Sequence, residues 1–242
     1  MLVNMINVLK WIPRQRRYCK YYYHYQNFHG TNKRCTGELH EEYEELKQLK
    51  DIKSPEFYEE EGKRRNYFYY VDLQGRLFLE DTAPKNIATS LKSDKFLNFF
   101  FRQLKCNKTN NFNDYPYFSP CGKESNYIKC ADTPVVFSEI LKDEKKEGDN
   151  NYKLVWGHSL SIPFQPDKLR ISIDTGRLYH PFPVKNAKKF GQSTMFGLLK
   201  SHLTISISNR IGSYGNNNFN NNGNDDDWYF EWGDKKHKIE VV

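Results

Sequence analysis

The residues best suited to chemistry in this sequence are two cysteines nine positions apart in "SPCGKESNYIKC". Cys121 stands between Pro120 and Gly122, a turn setting that exposes a thiol, and Lys123 beside it favours the thiolate. Cys130 follows at a spacing that lets two sulfurs meet across a hairpin. With His180 of "GRLYHP" or His158 of "WGHS", the pair offers a Cys2His or Cys2His2 set for zinc. The spacing is not diagnostic. A nucleophilic or redox thiol and ordinary buried cysteines, which pack as small hydrophobes, remain open beside it. The chain has five cysteines with no close CxxC pair, which describes neither a disulfide framework nor a zinc finger and suits a reducing compartment.

Carboxylates form a second group. Asp72, Glu80, Asp81 and Asp132 fall at strand ends or turns, where paired acids can hold a cation or act as acid and base. The structural alternative has Asp72 setting a turn and Asp132 preceding the Pro134 bend. Arg76 and Arg177 occupy matching places after glycine in "DLQGRLF" and "DTGRLY". Each can grip a phosphate or carboxylate bidentately, or simply pair with a nearby acid. The sequence holds no GxxxxGK[ST], GxGxxG, GxSxG or HExxH, which disfavours P-loop, dinucleotide, serine-hydrolase and zincin chemistry.

These residues need a scaffold, and the periodicity describes one. "NYFYYVDLQGRLFLED" reads as a β-hairpin, with Asp72 and Gly75 at the first and fourth turn positions. Both faces of its first strand are apolar, so Tyr67, Phe68, Tyr69 and Tyr70 are expected in a central strand rather than on a base-stacking platform. "SDKFLNFFFRQLK" places Phe96, Leu97, Phe100, Phe101 and Leu104 at three- and four-residue steps after Ser93 or Asp94 as N-cap, the pattern of a helix packed on a sheet. "FSPCGKESNYIKCADTPVVF" reads as strand, turn, strand and an extended run, and "WGDKKHKI" as another tight turn between strands. The expected fold is α+β: antiparallel hairpins in a sheet covered by at least one amphipathic helix, as a single compact domain.

Charge is distributed unevenly. The net charge of +7 invites a nucleic-acid reading, yet residues 1–37 hold seven Lys and Arg and no Asp or Glu. The remaining 30 basic residues face 30 acidic ones, so residues 38–242 are formally neutral and nucleic acid is disfavoured. The acid-free, Arg-bearing segment 1–37 reads as a mitochondrial transit peptide or a basic leader. Its apolar run is broken by Lys10 and Pro13, short of the roughly 20 residues of a membrane span. Residues 38–62 are rich in Glu and Lys and read as a charged linker or surface helix that stops at Ser54-Pro55, and residues 63–242 as the globular domain. "NNNFNNNGNDDD", residues 216–227, is a low-complexity loop insertion, and "KDEKKEGDNN" a surface loop.

The blocks "YFYYVDLQGRLFLED", "FSPCGKESNYIKCADTPVVF", "IPFQPDKL" and "GRLYHPFP", in this order from about residue 63 to the end, resemble uncharacterised protein family 0598, a set of eukaryotic proteins of mitochondrial type. The resemblance implies mitochondrial residence and one compact domain, and it supplies no activity. The expected function is therefore a non-catalytic binding or assembly factor of the mitochondrial matrix, with a protein partner or a small molecule. The alternatives are a small metal- or thiol-dependent enzyme using Cys121, Cys130 and His180, with zinc as the candidate cofactor, and an RNA-binding protein.

Overall fold

Ser54-Pro55 begins a helix. In the computed structural model, which describes residues 51–144, 151–182, 195–213 and 228–242, Ser54 is extended and its hydroxyl accepts from the Phe57 N–H at 3.4 Å. Pro55 takes the first helical position, where a missing N–H costs nothing, so the pair works as a start signal for α1 (Pro55–Lys63). The charged run that this pair is expected to stop lies largely outside the described residues. The basic leader, the Glu-rich run to residue 50 and the Asn-rich tract lie outside the described residues.

The hairpin forms as read. β1 (Asn66–Val71) and β2 (Leu77–Leu79) pair antiparallel, with Tyr69 opposite Leu79. The turn closes through the Gly75 N–H to the Asp72 carbonyl at 2.9 Å, with Gly75 at φ +74°. A side chain there would be strained and would also approach Val136 Cβ to 2.9 Å. β3 (Lys105–Cys106), β4 (Tyr117–Cys121) and β5 (Glu124–Cys130) complete a sheet ordered β2-β1-β5-β4-β3. Its central pair, β1 with β5, is parallel, running from Asn66 opposite Ser125 to Val71 opposite Cys130. Hairpin signals report only neighbours along the chain, and a parallel pair needs a long crossover, so this pairing escapes them.

β1 is covered on both faces because side chains alternate. Tyr69 and Val71 point into the main core, where α2 (Asp94–Arg102) lays Phe100 against the Tyr69 ring at a centroid distance of 4.9 Å. Phe68 points the other way into a second aromatic cluster with Tyr115, Phe118 and Tyr127, closed by Phe57 and Tyr58 of α1. The aromatic run is core, as its two-sided apolar pattern requires.

The second half builds β6 (Val136–Phe137), a three-stranded meander of β7 (Glu139–Lys142), β8 (Tyr152–Trp156) and β9 (Leu160–Pro163), and then β10 (Arg170–Ile171), β11 (Leu178–Phe182), β12 (Met195–Leu199), α3 (Ser201–Ile207), β13 (Ile211–Ser213), β14 (Trp228–Trp232) and β15 (Lys235–Val241). The larger sheet runs β13-β14-β15-β10-β11-β12-β6, with β10 parallel to β15 and β12 parallel to β6. The "WGDKKHKI" turn is the β14–β15 hairpin. The main core runs from Tyr69 and Phe100 through Phe137, Leu154 and Leu178 to Phe230 and Ile239, uniting the sheets in one α+β domain. Among the described residues, no helix is long and apolar enough to cross a membrane.

Candidate functional site

The β1–β5 register decides where the site lies. Phe68 stands opposite Tyr127 and Tyr70 opposite Lys129, so all four share one face of the sheet. Around Phe68 and Tyr127 that face is filled by rings from α1 and the loop before β4. Around Tyr70 and Lys129 it opens into a hollow of about 460 Å³.

Glu80 lines this hollow and is only 3% exposed. It continues β2 past its last strand residue, its N–H bonding the Phe68 carbonyl at 2.9 Å. The carboxylate is held asymmetrically. Oε2 accepts from the Tyr58 hydroxyl at 2.7 Å and the Tyr115 hydroxyl at 2.6 Å. Oε1 lies 3.3 Å from Lys129 Nζ, an ion-pair distance, and among the described residues it accepts no hydrogen bond. Taking a carboxylate out of water costs several kcal/mol, and two hydroxyls and an ammonium offset it here. Burial, reinforced by Glu80, raises the pKa of both tyrosines, so they act as neutral donors.

Each partner is positioned by its own element. Tyr58 comes from α1, on the turn that Ser54 caps. Tyr115 and Asp114 come from the polar loop before β4, which Asn107 organises by donating to the carbonyls of Asn111 at 2.9 Å, Phe112 at 3.2 Å and Tyr115 at 2.9 Å. Lys129 lies on β5 with its ammonium 4.5 Å from the centroid of the Tyr115 ring and 3.5 Å from Asp114 Oδ2. Lys53 also reaches Asp114, at 3.2 Å. Burial works against the Asp114 charge, but the Lys53 bond and the two ammonium groups hold its carboxyl below the usual range. Lys85 donates to the carbonyls of Glu80 at 2.7 Å and Thr82 at 2.9 Å, and burial lowers its pKa.

The residues singled out from sequence fall elsewhere, or at the margin. Cys121 faces Glu124 beside the Gly122 turn, while Cys130 lies six residues further along β5, about 20 Å away at strand spacing, so the two sulfurs do not meet. This corrects the hairpin contact that the spacing permits. Cys121 is buried, and burial pushes its thiol up to about 11, against the expected activation by Lys123. Cys130 borders the hollow and its thiol donates to the Asp132 carbonyl at 3.2 Å. His180 is enclosed in the second-half core, where its Nε2 accepts from the Gln165 N–H at 3.0 Å. Burial brings its pKa down to about 4. His158 is on an exposed turn, 3.1 Å from Asp94 Oδ2. Among the described residues, no three His, Cys, Asp or Glu side chains gather as a metal-binding group.

Asp72 bonds the Gln74 and Arg76 N–H groups at 2.9 and 2.8 Å and the Arg76 Nε at 2.6 Å, closing its own turn. Arg177 instead crosses to Asp132 Oδ2 at 2.8 Å, which also accepts from the Tyr179 hydroxyl at 2.9 Å, fastening the end of β5 to β11. The two arginines therefore serve structural pairs. Of the hollow's charged groups, sequence reading named only Glu80. The overlooked signal was Lys129 following an apolar run in "NYIK", where the strand pattern turns a charged side chain inward.

Residues 58–242 match the family described as a domain of unknown function, DUF4505. The chain belongs to this family. The expectation of an uncharacterised family holds at that level; the match names DUF4505 and not family 0598, and it carries nothing on location. The DUF4505 match includes Tyr58, Glu80, Lys85, Tyr115 and Lys129, and leaves out Lys53. Two crystal structures of DUF1285 family proteins are similar to the chain. One, from Shewanella baltica OS155, shares 14% identity over 59% of this chain and 91% of that chain, with a TM-score of 0.40. The other, from Silicibacter pomeroyi DSS-3, shares 11% identity over 81% and 94%, with a TM-score of 0.42.

Proposed function

We propose that this DUF4505 domain is a non-catalytic binding module that holds a small polar molecule in the Glu80 hollow. One observation carries the reading. A nearly buried carboxylate lines a 460 Å³ hollow, with one oxygen held by two tyrosine hydroxyls and the other 3.3 Å from the Lys129 ammonium. A hollow with a few fixed polar and charged groups in its wall is the setting in which proteins orient small ligands.

The enzyme alternative lacks support from the thiols, since Cys121 is buried with a raised pKa and stands far along the strand from Cys130. The RNA alternative is weakened by the burial of Phe68, Tyr69 and Tyr70 and by the neutral charge of residues 38–242. We place the binding role in the mitochondrial matrix on the strength of the acid-free leader. Residues 1–40 fused to a fluorescent reporter test that placement, and a diffuse cytosolic signal removes it.

The binding reading is tested by the thermal midpoint of the full chain in a deproteinised, low-molecular-weight cell extract. The wild-type midpoint should rise, by mass action on the native state, and Glu80→Gln should abolish the rise while remaining folded by circular dichroism. An equal rise in wild type and variant, or none in wild type, overturns the reading.

A further inference from the structure

Of the residues lining the hollow, only Asp51 and Lys53 precede α1, and only these two lie outside the DUF4505 match; the rest fall at Tyr70 or beyond. Residues 51–53 are held to the body of the domain by polar contacts. Lys53 Nζ lies 3.2 Å from Asp114 Oδ2, Asp51 Oδ2 lies 3.9 Å from Lys129 Nζ, and the Lys53 N–H donates to the Tyr58 hydroxyl at 3.0 Å. Among the described residues these three make no hydrogen bond from main chain to main chain, and Ile52 belongs to neither core cluster. Asp51, Lys53 and Asp114 are exposed, a setting in which an ion pair is weak and salt screens it. Few buried apolar contacts and few backbone bonds mark the part of a fold that opens first.

Release of this segment strands no charge. Lys129 keeps Glu80 Oε1 at 3.3 Å and Asp114 Oδ2 at 3.5 Å when Asp51 departs. Asp114 keeps Lys129 when Lys53 departs, and the Tyr58 hydroxyl keeps its bond to Glu80 at 2.7 Å. The penalty that locks most charged walls in place, an ion left unpaired in a buried site, is therefore absent. The movement is also bounded. Phe57 and Tyr58 are packed in the aromatic cluster, and Pro55 fixes the first turn of α1, so the hinge falls at Ser54, which is extended.

Resting on the binding reading above, we propose that residues 51–53 are a strap that closes one side of the hollow and lifts about Ser54, exchanging its two ion pairs for water, to admit and release the ligand. Glu80 and its two tyrosines keep their geometry in both positions, because none of their mutual bonds involves the strap.

The Lys53 amide reports the strap, and its hydrogen exchange, followed by NMR on the full chain, tests the proposal. It should exchange more slowly than a free peptide group and faster than the amides that pair β1 with β5. Raising NaCl to about 0.5 M, which shortens the screening length to a few ångströms, should speed it about two- to fivefold, the span that an exposed ion pair supports, and leave the β1–β5 amides unchanged. Lys53→Gln, which keeps the amide and removes the ammonium, should speed it as much at low salt, and Asp114→Asn should do so from the other side of the pair. An amide as fast as a free peptide group overturns the proposal, since the strap is then not closed. One as slow as the β1–β5 amides overturns it because the strap does not lift, and one indifferent to salt and to both variants because the ion pairs do not hold it. A Glu80-dependent midpoint rise in cell extract alongside any of these leaves the binding reading standing. A salt-responsive amide in a chain whose midpoint the extract does not raise overturns both, since the strap then has nothing to admit. The salt series acts on the wild-type chain and keeps the test decisive if a variant does not fold.

Discussion

The Tyr115 hydroxyl donates to Glu80 Oε2 at 2.6 Å inside the aromatic cluster, joining the loop before β4 to the end of β2 across 35 positions of sequence. Tyr115 is fully buried, whereas Tyr58, the other donor to the same oxygen, is half-buried. Tyr115→Phe leaves a buried carboxylate short of a donor and should cost about 1–3 kcal/mol in urea unfolding. Tyr58→Phe should cost less, because water can reach the vacated place. Equal losses for the two variants would contradict this account of the pair.

His180 makes stability depend on pH. Its folded pKa is about 4 against an ordinary value of 6.5, because burial penalises the imidazolium. Between those values the unfolded chain holds a proton that the native chain does not. The contribution is therefore flat above pH 6.5, falls by up to about 1.4 kcal/mol per pH unit on acidification and levels off below pH 4. His180→Gln keeps an acceptor for the Gln165 N–H and removes the titration. The wild-type stability minus that of the variant should show this slope in denaturant titrations; a flat difference from pH 7 to 4 would exclude it.

Cys121 should resist alkylation in the native protein. Its thiol is enclosed, and at about 11 its pKa leaves little thiolate at pH 8. Peptide mapping after brief iodoacetamide treatment should show Cys121 modified only once the chain is unfolded. Fast native modification would return it to the list of reactive groups.

Gly197 marks a close approach in the second sheet. It pairs with His180, and a Cβ there would stand 2.6 Å from Phe137 Cε2 and 3.0 Å from Val135 Cγ1. The Phe137 ring also meets the His180 and Trp156 rings edge-on, each at 5.9 Å, which limits its room to retreat. Gly197→Ala should destabilise by about 1–3 kcal/mol, as overpacking does, and should lower the thermal midpoint. An unchanged midpoint would mean that the ring moves aside easily.

Features carried by near neighbours were legible in the sequence. The Asp72–Gly75 turn, the helix bearing Phe100 and Phe101, the tight turn after Cys121 and the Trp232–Lys235 turn each rest on signals within about a dozen residues, where turn chemistry and alternation act directly. The two-sided apolar pattern of residues 67–71 was enough to assign the aromatic run to the core. Ser54-Pro55 was locally ambiguous, because the same pair that ends one helix can cap the next. Only the tertiary structure decided the parallel pairing of β1 with β5, and the site depends on it. That register sets Lys129 opposite Tyr70, and the fold brings Glu80 to Tyr58 and Tyr115, residues drawn from a strand end, a helix and a loop. Nothing in the types of those residues announces the meeting, since lysine, glutamate and tyrosine are ordinary on any surface. They become a site only because the fold removes them from water together, where an uncompensated charge is costly and each must find the other.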